Sequence, residues 1–192
     1  MKKLILASAS LQRQKLLKDL GVQFAVKVSQ AQEVQKIRST CSALVKHNAL
    51  LKAQDVAACL KSGVVVGADT VVYDGHKNLI GKPRNLQDAK KMLHALFSKP
   101  HWVYTGVAVI DAATGKRAVD YEKTKVFMLP LTDEEIDRYH RKVSPLDKAG
   151  GFDIEGGGSV FIHRIEGCYT NVIGLPIAKL AMMLRRFGVS IL

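Results

Sequence analysis

Apolar and polar residues along this chain fall into blocks whose period switches between that of a strand and that of a helix, and the switches predict an α/β protein. Lys3 to Ala7 is a short apolar run that predicts a first strand. Leu16, Leu17 and Leu20 then share one face of a predicted helix over Leu11 to Leu20, stopped by Gly21. Val22 to Val28 predicts a second strand, and a polar stretch from Ser29 to Arg38 leads into a helix from about Thr40 to Leu60. That helix carries Leu44, His47, Leu51 and Val56 on or near its apolar side and is ended by Gly63. The run from Val64 to Tyr73 is nearly all apolar and rich in β-branched residues, which predicts a strand covered on both faces. Asn85 reads as the N-cap of a helix with Ala89, Met92, Leu93 and Leu96 at the spacing i, i+3, i+4, i+7. His101 to Asp111 and Arg117 to Leu129 predict two strands around a hairpin-like connection at Ala112 to Lys116. Thr132-Asp133-Glu134-Glu135 is a capping box that opens a helix through about Arg141. Phe152 to Glu155 and Ser159 to Ile165 predict strands around three glycines. Pro176 begins a closing helix packed through Leu180, Met183, Leu184 and Phe187 and ended by Gly188.

With 192 residues, 47% hydrophobic and 24% charged, the chain has ordinary globular composition, enough for one sizeable core or two small lobes sharing a cleft. No internal repeat or low-complexity linker divides it, so residues 1–192 read as a single domain. A formal charge of +12 favours an anionic partner, whether nucleic acid, a membrane surface or a small polyphosphate. The Lys and Arg residues are scattered from Lys2 to Arg186 with no polybasic tail, which weakens the nucleic-acid reading. No segment approaches the roughly 18 apolar residues of a membrane span. The apolar run after Lys2-Lys3 is too short for a secretory signal. Cys41, Cys59 and Cys168 are odd in number and far apart, which fits neither a disulfide framework nor a zinc site and points to a cytoplasmic protein.

Asp69 changes this picture most, because it places a carboxylate inside the strand Val64 to Tyr73. An ionised carboxylate buried without a partner costs several kcal/mol, so the fold must supply a cation, a metal or a shifted pKa. Asp69 is either a site residue or half of a structural ion pair. After the first strand, Ser8, Ser10 and Arg13 stand at a helix N-terminus, where they form either a phosphate cradle or an ordinary cap. Lys82 is held non-helical between Gly81 and Pro83 and suits a point-charge phosphate ligand. Glu33 either joins Asp69 on a divalent cation or is a solvated loop acid, and Lys52 is either a site residue or a snorkelling surface lysine. The five glycines between Asp147 and Gly158 serve close approach to a ligand or simple turns. Cys168 near His163 lacks an orienting third group for thiol catalysis.

In collinear order, Leu6-Ala7-Ser8-Ala9-Ser10-x-x-Arg13, Val66-Gly67-Ala68-Asp69-Thr70, Gly81-Lys82-Pro83, Tyr104-Thr105-Gly106-Val107, Asp147-Lys148-Ala149-Gly150 and Asn171-Val172-Ile173-Gly174-Leu175-Pro176 resemble the Maf family of nucleoside triphosphate pyrophosphatases. The resemblance covers essentially the whole chain. It implies an α/β fold with a mixed twisted sheet and flanking helices, related to the inosine triphosphate pyrophosphatases, with two lobes around a central cleft. It also implies frequent homodimers, hydrolysis of an NTP to NMP and pyrophosphate with Mg2+ or Mn2+, and an association with cell-division arrest. By position, Asp69 matches the family's proton acceptor, and Ser8, Arg13, Glu33, Lys52 and Lys82 match its phosphate- and metal-binding positions, with Glu33 and Asp69 as the metal ligands. Gln12, Thr70 and Glu155 match positions linked to base selection. The usual Ser-Pro-Arg-Arg is here Ser10-Leu11-Gln12-Arg13. Thr70 resembles the dTTP/UTP branch, whereas Glu155 resembles the branch acting on 7-methyl-GTP. The rival reading is a non-catalytic, basic nucleic-acid-binding regulator of cell division. It has little support from a chain with only 6% aromatic residues for base stacking.

Overall fold

In the computed structural model, which describes residues 2–35, 40–76 and 78–191, strands and helices alternate as the patterning predicts. The order is β1 (Leu4–Leu6), α1 (Leu11–Asp19), β2 (Phe24–Val26), α2 (Cys41–Ala58), β3 (Val64–Tyr73), β4 (Leu79–Ile80), α3 (Leu86–Phe97), β5 (His101–Asp111), β6 (Arg117–Met128), α4 (Asp133–Lys142), β7 (Ile162–Glu166), α5 (Tyr169–Ile173) and α6 (Ile177–Arg185). The strands form a mixed sheet in the order β2-β1-β3-β5-β6-β7, with β4 paired to β3. β1 runs parallel to β2 and β3, while β4 on β3 and β7 on β6 are antiparallel. The polar stretch after β2 is irregular as far as Gln35, and Lys36 to Arg38 lie outside the described residues.

The chain divides into two compact units, the first being Met1–Thr70, Thr105–Glu122 and Gly174–Leu192, the second Val71–Tyr104 and Lys123–Ile173. In the first unit, side chains two apart on each strand point to the same face, and both faces are covered. Leu4, Leu6, Val64, Val66 and Val107 pack with Leu17 of α1 and with Leu180, Met183, Leu184 and Phe187 of α6 and its end. Ile5, Ala7, Val65, Ala108 and Ile110 pack on Ala49, Ala53, Val56 and Ala57 of α2. The inward face of α1 is Arg13 and Leu17, four residues apart, whereas Leu20 ends up 36% exposed as the C-cap. α2 is also turned from the predicted face: Leu44, Val45, Asn48, Ala49, Ala53, Val56 and Ala57 are buried, His47 is exposed and Leu51 half-buried.

Small residues explain that turn. A Cβ on Gly67 of β3 would overlap the Ala49 carbonyl oxygen, and one on Gly106 of β5 would overlap the Val45 carbonyl. The α2 backbone therefore rests directly on the two strands, which is the usual reason for glycine inside a strand.

In the second unit, α3 starts at Asn85, whose side chain accepts from Asp88 N at 2.8 Å. It buries Leu93 and Leu96 with Ile136, Tyr139, Phe152 and Phe161. Both bonds of the predicted capping box open α4: Glu135 N donates to Thr132 Oγ1 at 3.3 Å and Thr132 N to Glu135 Oε2 at 2.8 Å. The predicted strand at Phe152 to Glu155 does not form. Asp153 N donates to Tyr139 Oη at 3.0 Å, and His140 Nε2 lies 3.1 Å from the Gly151 carbonyl, so α4 side chains hold this segment in place of a neighbouring strand. Gly156–Phe161 then makes a 3-10 turn, and β7 starts only at Ile162.

His101, at the start of β5, is 1% exposed, and among the described residues neither ring nitrogen has a hydrogen-bond partner. Its ring stands edge-on to Phe152 with centroids 5.6 Å apart. Burial pushes its pKa from 6.5 down to about 4. Between those values the unfolded chain binds the proton and the folded chain does not. The stability His101 allows is thus complete above the unfolded pKa and is lost as pH falls toward the folded one, by roughly 3 kcal/mol. Urea melts from pH 7 to pH 4 should show the parent losing more stability than His101→Leu. Parallel losses would contradict a buried neutral imidazole. Gly67→Ala and Gly106→Ala should each cost about 2 kcal/mol or more in the same assay at pH 7, since backbone must move to admit the methyl. A cost within about 0.5 kcal/mol of zero, the range of neutral surface changes, would refute the close contact.

Candidate active site

β3 carries Asp69 into the interior of the first unit, where it is 5% exposed. With the α2 backbone resting on Gly67, residues 48 and 52 stand one helical turn apart within reach of it. Lys52 Nζ donates to Asp69 Oδ1 at 2.8 Å and to Glu33 Oε1 at 2.8 Å, and lies 3.4 Å from the Ala68 carbonyl. Asn48 Nδ2 donates to the other oxygen, Asp69 Oδ2, at 3.1 Å. Lys52, with its side chain 12% exposed, is a part-buried ion-pair partner and does not snorkel.

Glu33 is brought in by a loop tied twice to α2. Ser29 Oγ and Gln30 N each donate to Asp55 Oδ2 at 2.8 Å, and these bonds hold the Asp55 carboxyl below the ordinary carboxylate range. Val34 N donates to Asn48 Oδ1 at 2.9 Å while Asn48 Nδ2 donates back to the Val34 carbonyl at 3.0 Å. The Glu33 side chain is 48% exposed, yet one oxygen is spent on Lys52. The two carboxylates thus converge on one ammonium. Their hard oxygen donors suit Mg2+ or Mn2+, since Mg2+ is commonly held by one or two carboxylates together with substrate phosphates. Among the described residues no larger His, Cys, Asp and Glu cluster joins them.

Arg13, in the first turn of α1, makes its contacts within the protein. Its guanidinium is turned inward and donates to the Gly174 carbonyl at 2.8 Å, Ser8 Oγ at 3.0 Å, the Ala68 carbonyl at 2.9 Å and Thr70 Oγ1 at 2.9 Å. Among the described residues these contacts take four of the five N–H groups of an arginine and leave one on Nη2. Burial lowers its pKa, and the charges of Asp69 and Glu33 oppose that shift. Ser8, 7% exposed, also accepts from Ser10 N at 3.2 Å. Ser10 is the N-cap, accepting from Arg13 N at 3.4 Å and donating to Gln12 Oε1 at 3.2 Å, so the capping reading holds for this serine. Thr70 Oγ1 lies 2.9 Å from buried Thr105 Oγ1 as well, so its hydroxyl faces protein partners.

Seven of the predicted residues, Ser8, Gln12, Arg13, Glu33, Lys52, Asp69 and Thr70, therefore belong to the first unit and are linked by these contacts. Lys82 and Glu155 belong to the second unit. Lys82 is exposed in the irregular segment between β4 and α3, which is tied to the glycine-rich stretch where Gly150 N donates to the Gly81 carbonyl at 3.0 Å. Glu155, half-buried, precedes the 3-10 turn, and its backbone carbonyl accepts from Gly158 N at 3.1 Å. Cys168 Sγ lies 3.3 Å from Thr170 Oγ1, and all three cysteines are free thiols. The sequence reading missed Asn48 and Thr105. The available signal for Asn48 was a lone amide on an otherwise apolar stripe, one turn before Lys52.

The Lys52 contact fits either reading of Asp69, a structural pair or a site residue. The family model described as Maf-like protein matches residues 3–187. A protein of Desulforamulus reducens named dTTP/UTP pyrophosphatase is 49% identical over 191 residues, covering 100% of both chains. A protein of the same name from Pelotomaculum thermopropionicum is 44% identical over 192 residues, again covering 100% of both. Among solved structures, a HAM1 protein from Coxiella burnetii superposes with a TM-score of 0.48 at 14% identity, over 67% of this chain and 73% of that one. A family model that matches residues 3–187, together with end-to-end relatives at 44–49% identity, shows the family: the chain belongs to the Maf-like proteins.

Proposed function

We propose that this chain is a nucleoside triphosphate pyrophosphatase that hydrolyses dTTP and UTP to the monophosphate and pyrophosphate, in the cytoplasm, with Mg2+ or Mn2+ as cofactor. The observation that carries the reading is end-to-end similarity, at 49% identity, to a relative named dTTP/UTP pyrophosphatase. The geometry supplies the mechanism. Lys52 on Oδ1 and Asn48 on Oδ2 hold the Asp69 carboxylate at both ends, and the attacking water approaches that carboxylate. Asp69 accepts the proton of that water as its oxygen bonds to the α-phosphorus, and the bond from the α-phosphorus to the bridging oxygen breaks to release pyrophosphate. The Lys52 ammonium has three donors, all aimed at protein oxygens, and Glu33 is the most exposed of its acceptors. An incoming phosphate oxygen takes the place of Glu33 there, and the charge on Lys52 then stabilises the oxyanions that develop. Arg13 offers its remaining N–H and holds Ser8 and the Ala68 carbonyl in position. A divalent cation, held by Asp69 and Glu33, would neutralise the leaving pyrophosphate.

Incubation with dTTP, UTP, the other NTPs and 7-methyl-GTP, each with Mg2+ or Mn2+, should release pyrophosphate most rapidly from dTTP and UTP. Orthophosphate as the only phosphate product would contradict attack at the α-phosphorus. Asp69→Asn keeps the shape and removes the base, so its rate should fall by about 10²- to 10⁴-fold. A parent rate from that variant would remove Asp69 from the mechanism.

A further inference from the structure

Asn48 is 3% exposed, a primary amide set among Leu44, Val45, Ala49 and Ala53 on the buried stripe of α2. A buried amide left without partners is costly, and this one has three bonds, all directed at the site. Val34 N–H can be received only by Oδ1, which settles which way the amide faces and turns Nδ2 toward Asp69. Lys52 alone would hold Asp69 by a single oxygen and leave the carboxylate free to rotate about its last torsion. Asn48 takes the opposite oxygen, so the group is held at two points by two residues of one helix. The same amide bonds both polar atoms of Val34, the residue after Glu33.

We propose that Asn48 is a positioning residue for hydrolysis: together with Lys52 it fixes the orientation of the Asp69 carboxylate toward the attacking water. This inference rests on the reading of Asp69 as the proton acceptor. The loop keeps its second tether at Asp55, so loss of Asn48 does not release it entirely. The charged groups around the carboxylate are Lys52 from α2, Arg13 from α1 and Glu33 from the loop.

Two substitutions separate positioning from mere filling of space. Asn48→Leu keeps the bulk and removes every bond. Asn48→Asp keeps the shape and the acceptor for Val34 N–H but sets a carboxylate against Asp69. The measurement is kcat and KM for dTTP in the parent, N48L, N48D, D69N, N48L/D69N and N48D/D69N, with thermal melts of each. Both single variants should lower kcat about tenfold or more while KM changes less than about threefold, because a misaimed base impairs the chemical step and leaves binding largely intact. In the D69N background neither change should lower the residual kcat further, since no base remains to be aimed. A kcat within about twofold of the parent in a folded N48L or N48D would overturn the proposal, as would an equal fractional loss in both backgrounds, the mark of a purely structural effect. Should N48L fail to fold, N48D decides by the same criteria. Full activity in D69N would instead remove the reading of Asp69 as base, a result distinguishable from failure of the Asn48 role.

Discussion

A carboxylate buried in a strand covered on both faces has to be met by a cation, and the first unit is built around that meeting. An unpaired ion there costs several kcal/mol, against about 1 kcal/mol for an ordinary hydrogen bond, so Lys52 is the dominant partner of Asp69 and Asn48 the refining one. Close approach of α2 to the sheet brings both within reach of Asp69. Gly67 and Gly106 remove the side chains that would keep α2 away, and Ala49 and Ala53 do the same from the helix side. The glycines in the Val66 to Thr70 and Tyr104 to Val107 strings thus act through packing, one step removed from the chemistry. A well-packed apolar residue at position 69 would serve stability as well as the ion pair does, which argues that the carboxylate is kept for chemistry.

The charges of the site are nearly balanced before substrate arrives. Arg13 and Lys52 face Asp69 and Glu33, with the arginine committed to the fold through four bonds. Attraction of a polyanion by net charge alone is therefore weak at this point, whatever the formal +12 of the whole chain. Binding in the proposed mechanism is an exchange: a phosphate oxygen displaces the exposed Glu33 from Lys52, and the released carboxylate becomes available to a divalent cation. Arg13 acts mainly as a brace, tying α1 to β3 and to the Gly174 carbonyl so that Ser8 and Ala68 keep their places.

Much of this was legible in the sequence where local chemistry decides. The buried strand with its one acid, the Thr132 capping box and the Asn85 N-cap all formed as the residue patterns predict. Errors came where tertiary contacts decide. Phe152 and Ile154 alternate with polar residues as in a strand, yet Tyr139 and His140 supply the partners and no ladder forms. The face of α2 was misjudged because Ala49 and Ala53 are small enough to escape a search for large apolar side chains, although small residues are what close approach requires. For Arg13, nothing local announces the carbonyls of Ala68 and Gly174 that receive its guanidinium. Asp69, Lys52 and Glu33 could be named as candidates, but only the fold shows that they share one ammonium.

The dependence of Asp69 on Lys52 is tested most directly by a stability cycle of Lys52→Met, Asp69→Asn and the double variant, read by urea unfolding at neutral pH. The account predicts that Lys52→Met alone costs about 3 to 5 kcal/mol, by stranding a buried carboxylate, and that adding Asp69→Asn recovers most of the loss. Costs that simply add, or a Lys52→Met variant as stable as the parent, would contradict it.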